Sequence, residues 1–484
     1  MLGLLPTLSL THYAVALAVF ALLYYATSLV RSNPSPLPPG PKGHWLIGNL
    51  LDMPRSVDRN LLARWKRTYG DMVYLKAFGY SILILNSPQA INDLLDKRGN
   101  IYSDRPVFVM AGELMGLGKS MGLINYGPEY KYLRKLTQHA LNPDAPPHTP
   151  HDFSNQLRLT IGRVVLAITY GLSVETADSE YIADAELTMT LVDKSTVPGA
   201  YLVDVFPWLR HLPRWLPFTT FLAEGVFGHR QIYNFVTRPF EHVKREIAAG
   251  TAPPSFVADL LADNEAMQGG ASEYDVEDGI KWAAGTMYGG GVETSFATVL
   301  TFFILMAQHP EEQARAQAEL DGLVGHDRLA RVQDRERLPY VRALITEVMR
   351  WHVVTPIGIA RRTATDDVYM GYHIPKDTVV IPNSWGLSQL DNQQGPLHEF
   401  KPERFLDDID SPMNPADYVF GYGRRICPGK ALAENTLFLI IANTLLLFPS
   451  PHPRPARSRG RQDARRRTVL GVPRQLPGEV CVRD

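Results

Sequence analysis

Cysteine is nearly absent: the 484 residues contain two, Cys427 and Cys481. That excludes a disulfide framework and suits a reducing compartment, with one working thiol and one incidental thiol in the tail. Charge of either sign is not in excess. The 49 Lys and Arg against 50 Asp and Glu leave a net charge of −1, so bulk electrostatics give no reason to expect nucleic acid as a partner. No repeat recurs, no nucleotide-binding loop is present, and no linker is long enough to separate two domains. A free cysteine is usually a small buried hydrophobe, so Cys427 takes its meaning from its neighbours.

Those neighbours form Phe420-x-x-Gly423-x-Arg425-x-Cys427-x-Gly429. Gly421 and Gly423 allow a tight turn and close approach of backbone to a flat group. N–H groups beyond the cysteine can face its sulfur. The apolar run from Ala431 to Leu447 reads as a helix whose positive N-terminal end favours a thiolate. Such a thiolate can be the axial ligand of a haem iron. The ten residues resemble the haem-binding signature of the cytochrome P450 family. The resemblance implies a mainly α fold with small β-sheets (α+β), with haem b between a long central helix and the cysteine-loop helix. It also implies Cys427 as iron ligand, Arg425 on a haem propionate, and Phe420, Gly421 and Gly429 around the cofactor.

The longest predicted helix runs from Val276 to about Gln308, roughly 50 Å at 1.5 Å per residue. Gly289-Gly290-Gly291 lies inside it, and each glycine costs a helix about 1 kcal/mol relative to alanine. Either the helix ends there or it opens locally beside a ligand. The following Glu293-Thr294 resembles the family's oxygen-binding segment. By that resemblance Thr294 would hydrogen-bond oxygen and Glu293 would relay protons to it.

Glu347 and Arg350, three apart on the predicted helix Pro339 to His352, share one face. Arg404, in Lys401-Pro-Glu-Arg-Phe405, could join them in a buried network that fixes packing rather than adding stability. The order Glu347, Arg350, Arg404, Cys427 is similar to the family's. Arg134 lies on a basic helix (Gly127 to Leu141) where the family carries Trp-x-x-x-Arg; Tyr130 takes the aromatic place and could reach a propionate through its hydroxyl. Arg362, in Ile359-Ala-Arg-Arg-Thr, stands where the family has His-Arg. Both arginines are candidate haem contacts, and the alternative for each is a solvated surface. Lys131, Arg134 and Lys135 form a basic face that by resemblance would dock an acidic donor, an NADPH-dependent P450 reductase.

The ends read differently. Tyr13 to Val30 is an uncharged apolar run that, with the residues before it, approaches the roughly 20 needed to cross a bilayer. Arg31 and Lys42 beyond it place the body in the cytosol. Residues 1–31 are thus expected to be a single-pass anchor in the endoplasmic reticulum membrane, in contact with lipid, and 32–44 a stiff proline-rich hinge. Residues 45–448 would be the catalytic domain. The Trp- and Phe-rich stretch Val197 to Phe221 is either an irregular loop on the core or an entrance loop dipping into the membrane surface. The resemblance falters twice. About one helix is missing after Leu141, and residues 449–484 turn proline- and arginine-rich, as a changed reading frame or splice near Ser450 would produce. The implied activity is insertion of one atom of O2 into an apolar organic substrate, in the manner of membrane-anchored fungal enzymes of secondary metabolism. A haem-thiolate isomerase or dehydratase, or an inactive remnant, are the alternatives.

Overall fold

The computed structural model describes residues 35–53, 58–138, 153–174, 179–262, 276–325, 327–390, 396–406 and 412–448. The expected anchor, most of the hinge, the shortened segment after Leu141 and the Pro/Arg-rich tail lie outside them.

The first elements are helix α1 (Arg59–Tyr69) and the hairpin β1 (Met72–Ala77) and β2 (Tyr80–Leu85). Asp58 caps α1 by accepting from the Leu61 N–H, an ordinary start signal. Ser87 likewise caps α2 (Pro88–Ile91), which widens into a π-helical stretch, Asn92–Lys97. A second π-helical turn, Val109–Leu114, precedes α3 (Pro128–Gln138), α4 (Phe153–Tyr170) and α5 (Glu180–Ser195). The Trp-rich stretch holds α6 (Leu202–Val205) and the 3-10 turn Pro207–His211 before α7 (Thr220–Ala249). Then come α8 (Phe256–Ala262), α9 (Val276–Gln308), α10 (Pro310–Leu323) and α11 (Pro339–Trp351). Short strands β3 (Arg361–Arg362), β4 (Asp367–Tyr369), β5 (Tyr372–Ile374) and β6 (Val379–Pro382) follow, then α12 (Ser384–Ser388) and α13 (Lys430–Leu447).

The strands form a four-stranded sheet ordered β1-β2-β6-β3 and a separate β4-β5 hairpin. In the larger sheet β2 pairs in parallel with β6, Ile82 opposite Val379, while β3 pairs antiparallel, Arg361 opposite Val380. The sheet lies to one side of a helical body. α9 is the axis of that body and packs on α3, α4, α7, α11 and α13. It is apolar on every side because its first half lies in one hydrophobic cluster, with Ile280, Ala284 and Val292, and its second half in another, with Val299, Phe302 and Leu305.

The triple glycine neither ends α9 nor breaks it. Gly289 and Gly291 allow close packing, since a Cβ there would stand 3.2 Å from Met189 Sδ and 3.2 Å from a Val165 methyl. Gly290 differs: it is exposed, and a Cβ on it would meet nothing within 4 Å. The most central helix therefore faces open space at its midpoint.

Candidate haem-thiolate site

The loop before α13 holds Cys427 by its backbone. The Cys427 N–H donates to Phe420 O at 2.7 Å, closing the turn. Gly421 and Gly423 have φ of 78° and 50°, left-handed values that glycine adopts without strain. A Cβ on Gly423 would also stand 2.6 Å from Leu95 O. The thiol keeps accessible surface yet is walled by enough protein that burial pushes its pKa up. A recess rather than open surface reconciles the two. The Gly429 N–H, then Arg134 and Lys430, pull the other way; the loop and helix start expected to favour the thiolate do so, and burial outweighs them.

Arg134 spends its guanidinium on this loop, donating to Ile426 O at 2.7 Å and to the Tyr130 hydroxyl at 2.9 Å. Tyr130 in turn donates to Arg424 O at 3.1 Å. Its hydroxyl therefore braces the cysteine loop, and its ring carries Arg425, 3.8 Å from the centroid. Arg425 is buried and donates to carbonyls, to Ser103 O at 2.9 Å and Ile124 O at 2.7 Å among them.

Two further arginines join Arg425, and sequence reasoning missed both. Arg105 is 5% exposed and donates to Ile359 O and Ala360 O, while its Nε has no partner. Arg361 is 2% exposed and donates to Leu95 O and Tyr422 O. Arg362, the expected contact, turns the other way, 3.1 Å from Asp377 and 3.8 Å from Asp104. Successive residues of a strand point to opposite faces, so β3 can aim only one of the pair inward. Burial, then mutual repulsion, lowers the pKa of Arg105 and, to about 10, that of Arg361; Arg425 is lowered by burial. None of the three forms an ion pair with a carboxylate among the described residues. Three buried cations so arranged leave charge that an anionic group would satisfy. The Tyr-Ser-Asp-Arg105 context offered only the signal of an arginine beside proline.

On α9, Thr294 donates to Gly290 O at 2.7 Å, one turn back at the open space. Glu293 does not stand free. Arg158 of α4 lies 3.2 Å from it and also holds Glu186 at 3.0 Å. Burial raises the Glu293 carboxyl pKa, and Arg158 only partly offsets this.

Behind the loop, Glu347, Arg350 and Arg404 meet in full burial. Arg350 Nε and Nη2 grip the carboxylate at 2.6 and 2.8 Å, a bidentate fork, and Arg404 Nε reaches it at 3.2 Å. The Lys401 N–H adds a fourth donor at 2.9 Å. A cavity of about 470 Å³ lies beside the arginine group, lined by Arg105, Phe108, Gly112, Leu123 and Tyr126 among others.

A helical body around one long axial helix, a recessed cysteine in a glycine-shaped loop and buried cations close to that loop suit a protein that holds a flat, anionic cofactor. Comparison with known proteins agrees. The family model "Cytochrome P450" matches residues 38–148 and 145–456, and the chain belongs to that family. Among curated relatives, cytochrome P450 monooxygenase COX2 of Coprinopsis cinerea is 37% identical over 460 residues, 90% of this chain and 87% of that protein. Cytochrome P450 monooxygenase claR of Ampulloclitocybe clavipes is 38% identical over 458 residues, 90% of this chain and 83% of its own length. Cytochrome P450 monooxygenase 208 of Postia placenta is 37% identical, with shares of 90% and 87%. The family implies a haem cofactor and a monooxygenase, an oxidoreductase.

Proposed function

We propose that this chain binds haem b through Cys427 and inserts one atom of O2 into an apolar organic substrate, with electrons from an NADPH-dependent reductase. The observation that carries this is the pairing of a recessed thiol with three buried arginines that form no ion pair with a carboxylate among the described residues. A dianionic, flat, apolar group with a metal at its centre satisfies both. Arg105, Arg361 and Arg425 would hold its propionates, and Phe420 and Gly429 would flank the sulfur. When bound, the haem supplies reductive activation of O2, and thiolate donation favours O–O cleavage.

The protein's own groups do the rest. Thr294 keeps a hydroxyl at the open space beside Gly290. Glu293, its carboxyl proton held by burial, is suited to release that proton toward the same space and recover it from the Arg158–Glu186 side. Glu347, Arg350 and Arg404 fix the support behind the cysteine loop. Lys131 and Lys135, exposed on α3, offer a cationic face to the electron donor.

Membrane attachment belongs to the same proposal, with residues 1–31 as anchor and catalysis on the cytosolic side of the endoplasmic reticulum. α9 and α13 are long and apolar enough to span a bilayer, but α9 is packed in the core. Exposed Trp208, Trp215 and Phe218 instead give the body an apolar face for lipid. The family match divides into two stretches that overlap at 145–148, within the segment expected to lack a helix. A role in secondary metabolism rests on the fungal relatives alone.

The test is the carbon monoxide difference spectrum of the reduced protein, then product formation with reductase and NADPH. A Soret band typical of thiolate ligation, lost in Cys427→Ser while circular dichroism is kept, is expected. A haem-free protein would overturn the proposal, and turnover without NADPH would favour an isomerase or dehydratase.

A further inference from the structure

Asp204 is a buried carboxylate, 4% exposed, that the site above does not use. It belongs to α6 but serves the π-helical turn Val109–Leu114, ninety-four residues earlier. One oxygen accepts the Met110 N–H at 2.9 Å, and the Val109 N–H also bonds to the carboxylate. The turn's own preceding residue, Phe108, makes no side-chain cap, so Asp204 caps it from outside. A second tie lies further along: Arg210, in the 3-10 turn after α6, forms an ion pair with Glu113. Phe206, between the two ties, packs on Phe78 with ring centroids 5.0 Å apart. Phe108, Gly112 and Glu113 line the 470 Å³ cavity, so the segment held at both points is its wall.

We propose that Asp204 and Arg210 are positioning residues that latch the strap 202–211 onto the turn 109–114 and so set this wall, and that the Asp204 tie makes the latch sensitive to pH. The proposal rests on the oxygenase reading only for what the cavity holds. The wall can be observed without haem chemistry.

The closure is also linked to protons. The other Asp204 oxygen has no hydrogen-bond partner among the described residues, and neither has the hydroxyl of Tyr80, which faces Asp204 from β2. Glu113 faces it from the π-helical turn, and Arg210 is engaged with Glu113. Burial first, then Glu113, raises the Asp204 pKa to about 6 from an ordinary 3.8, against the pull of the two N–H donors. A released, hydrated Asp204 would return to the ordinary value. Protonation therefore favours the closed strap, and this preference is lost as pH rises through about 6. Between pH 7 and pH 5 the opening equilibrium should fall about tenfold.

Hydrogen–deuterium exchange of the full-length holoprotein tests this. After correction for intrinsic rates, a peptide spanning 108–115 should exchange about tenfold more slowly at pH 5 than at pH 7. A peptide spanning 339–351 should show no such change. Asp204→Asn should abolish that pH dependence, because it cannot titrate. Arg210→Gln, at a partly exposed position, should speed exchange at 108–115 severalfold at both pH values and leave 339–351 unchanged. Should Asp204→Asn not fold, Arg210→Gln decides alone. Exchange at 108–115 unaltered by Arg210→Gln, or a pH dependence that survives Asp204→Asn, would overturn the proposal.

Discussion

Arg158 and Glu293 bridge two helices, with Nε of the first 3.2 Å from Oε1 of the second, and the guanidinium lies 4.3 Å above the Phe296 ring. The arginine is the only described cation named as pulling the Glu293 carboxyl pKa down, while burial, Glu186 and Asp193 push it up. The bridge therefore sets where this acid holds its proton.

Replacing Arg158 with Gln should move that balance upward. The Glu293 carboxyl is already raised, so its contribution to stability is present below the ordinary value and lost as pH rises through the folded value. In Arg158→Gln the loss should extend to higher pH. The rate–pH profile should shift the same way, toward higher pH. Steady-state turnover from pH 5 to 9 checks this, with the Soret spectrum as control for an intact site.

The Glu347 carboxylate accepts from three donor groups, Arg350, Arg404 and the Lys401 N–H. Glu347→Gln would leave two arginines buried without a counter-charge, which costs about 3–5 kcal/mol. Thermal unfolding should show a large drop in Tm, or no folded protein. A variant with unchanged Tm would mean the network contributes little to the core.

Arg105, Arg361 and Arg425 repel one another in the absence of an anion. Arg105→Met should thus stabilise the haem-free protein, by about 1–3 kcal/mol, by relieving burial of an unpaired cation. The same change should weaken haem retention. Denaturant unfolding of the apoprotein and haem transfer to an acceptor protein measure the two opposite effects.

Gly290 faces open space, so a methyl group there meets no protein atom. Gly290→Ala should raise helix stability by about 1 kcal/mol while filling the space in front of Thr294. A higher Tm together with weaker carbon monoxide or substrate binding is the expected pair of outcomes.

The parts visible in the residues share a common property: each is written in adjacent positions. α9 was legible to within a residue because a mostly apolar run of 33 residues admits few alternatives. The Cys427 turn was legible because Gly421 and Gly423 permit what other residues resist. Glu347 and Arg350 were legible as a helix face. What such positions do not show is side-chain direction. Arg362 was taken from the resemblance to the family's His-Arg, and a two-residue strand has no pattern to show which face turns inward. Tyr130 was expected to point its hydroxyl at the cofactor, but Arg424 O lies within its reach and claims it.

The sequence by itself thus determined the helical axis, the loop that presents Cys427 and the family those residues belong to, because hydrophobic period and glycine conformation act locally. Tertiary structure alone decided that Arg105, Arg361 and Arg425 meet, that Arg158 holds Glu293, and that Asp204 caps a turn ninety-four residues away. Those relations depend on distances between segments far apart in the chain, and packing sets such distances where no local pattern can.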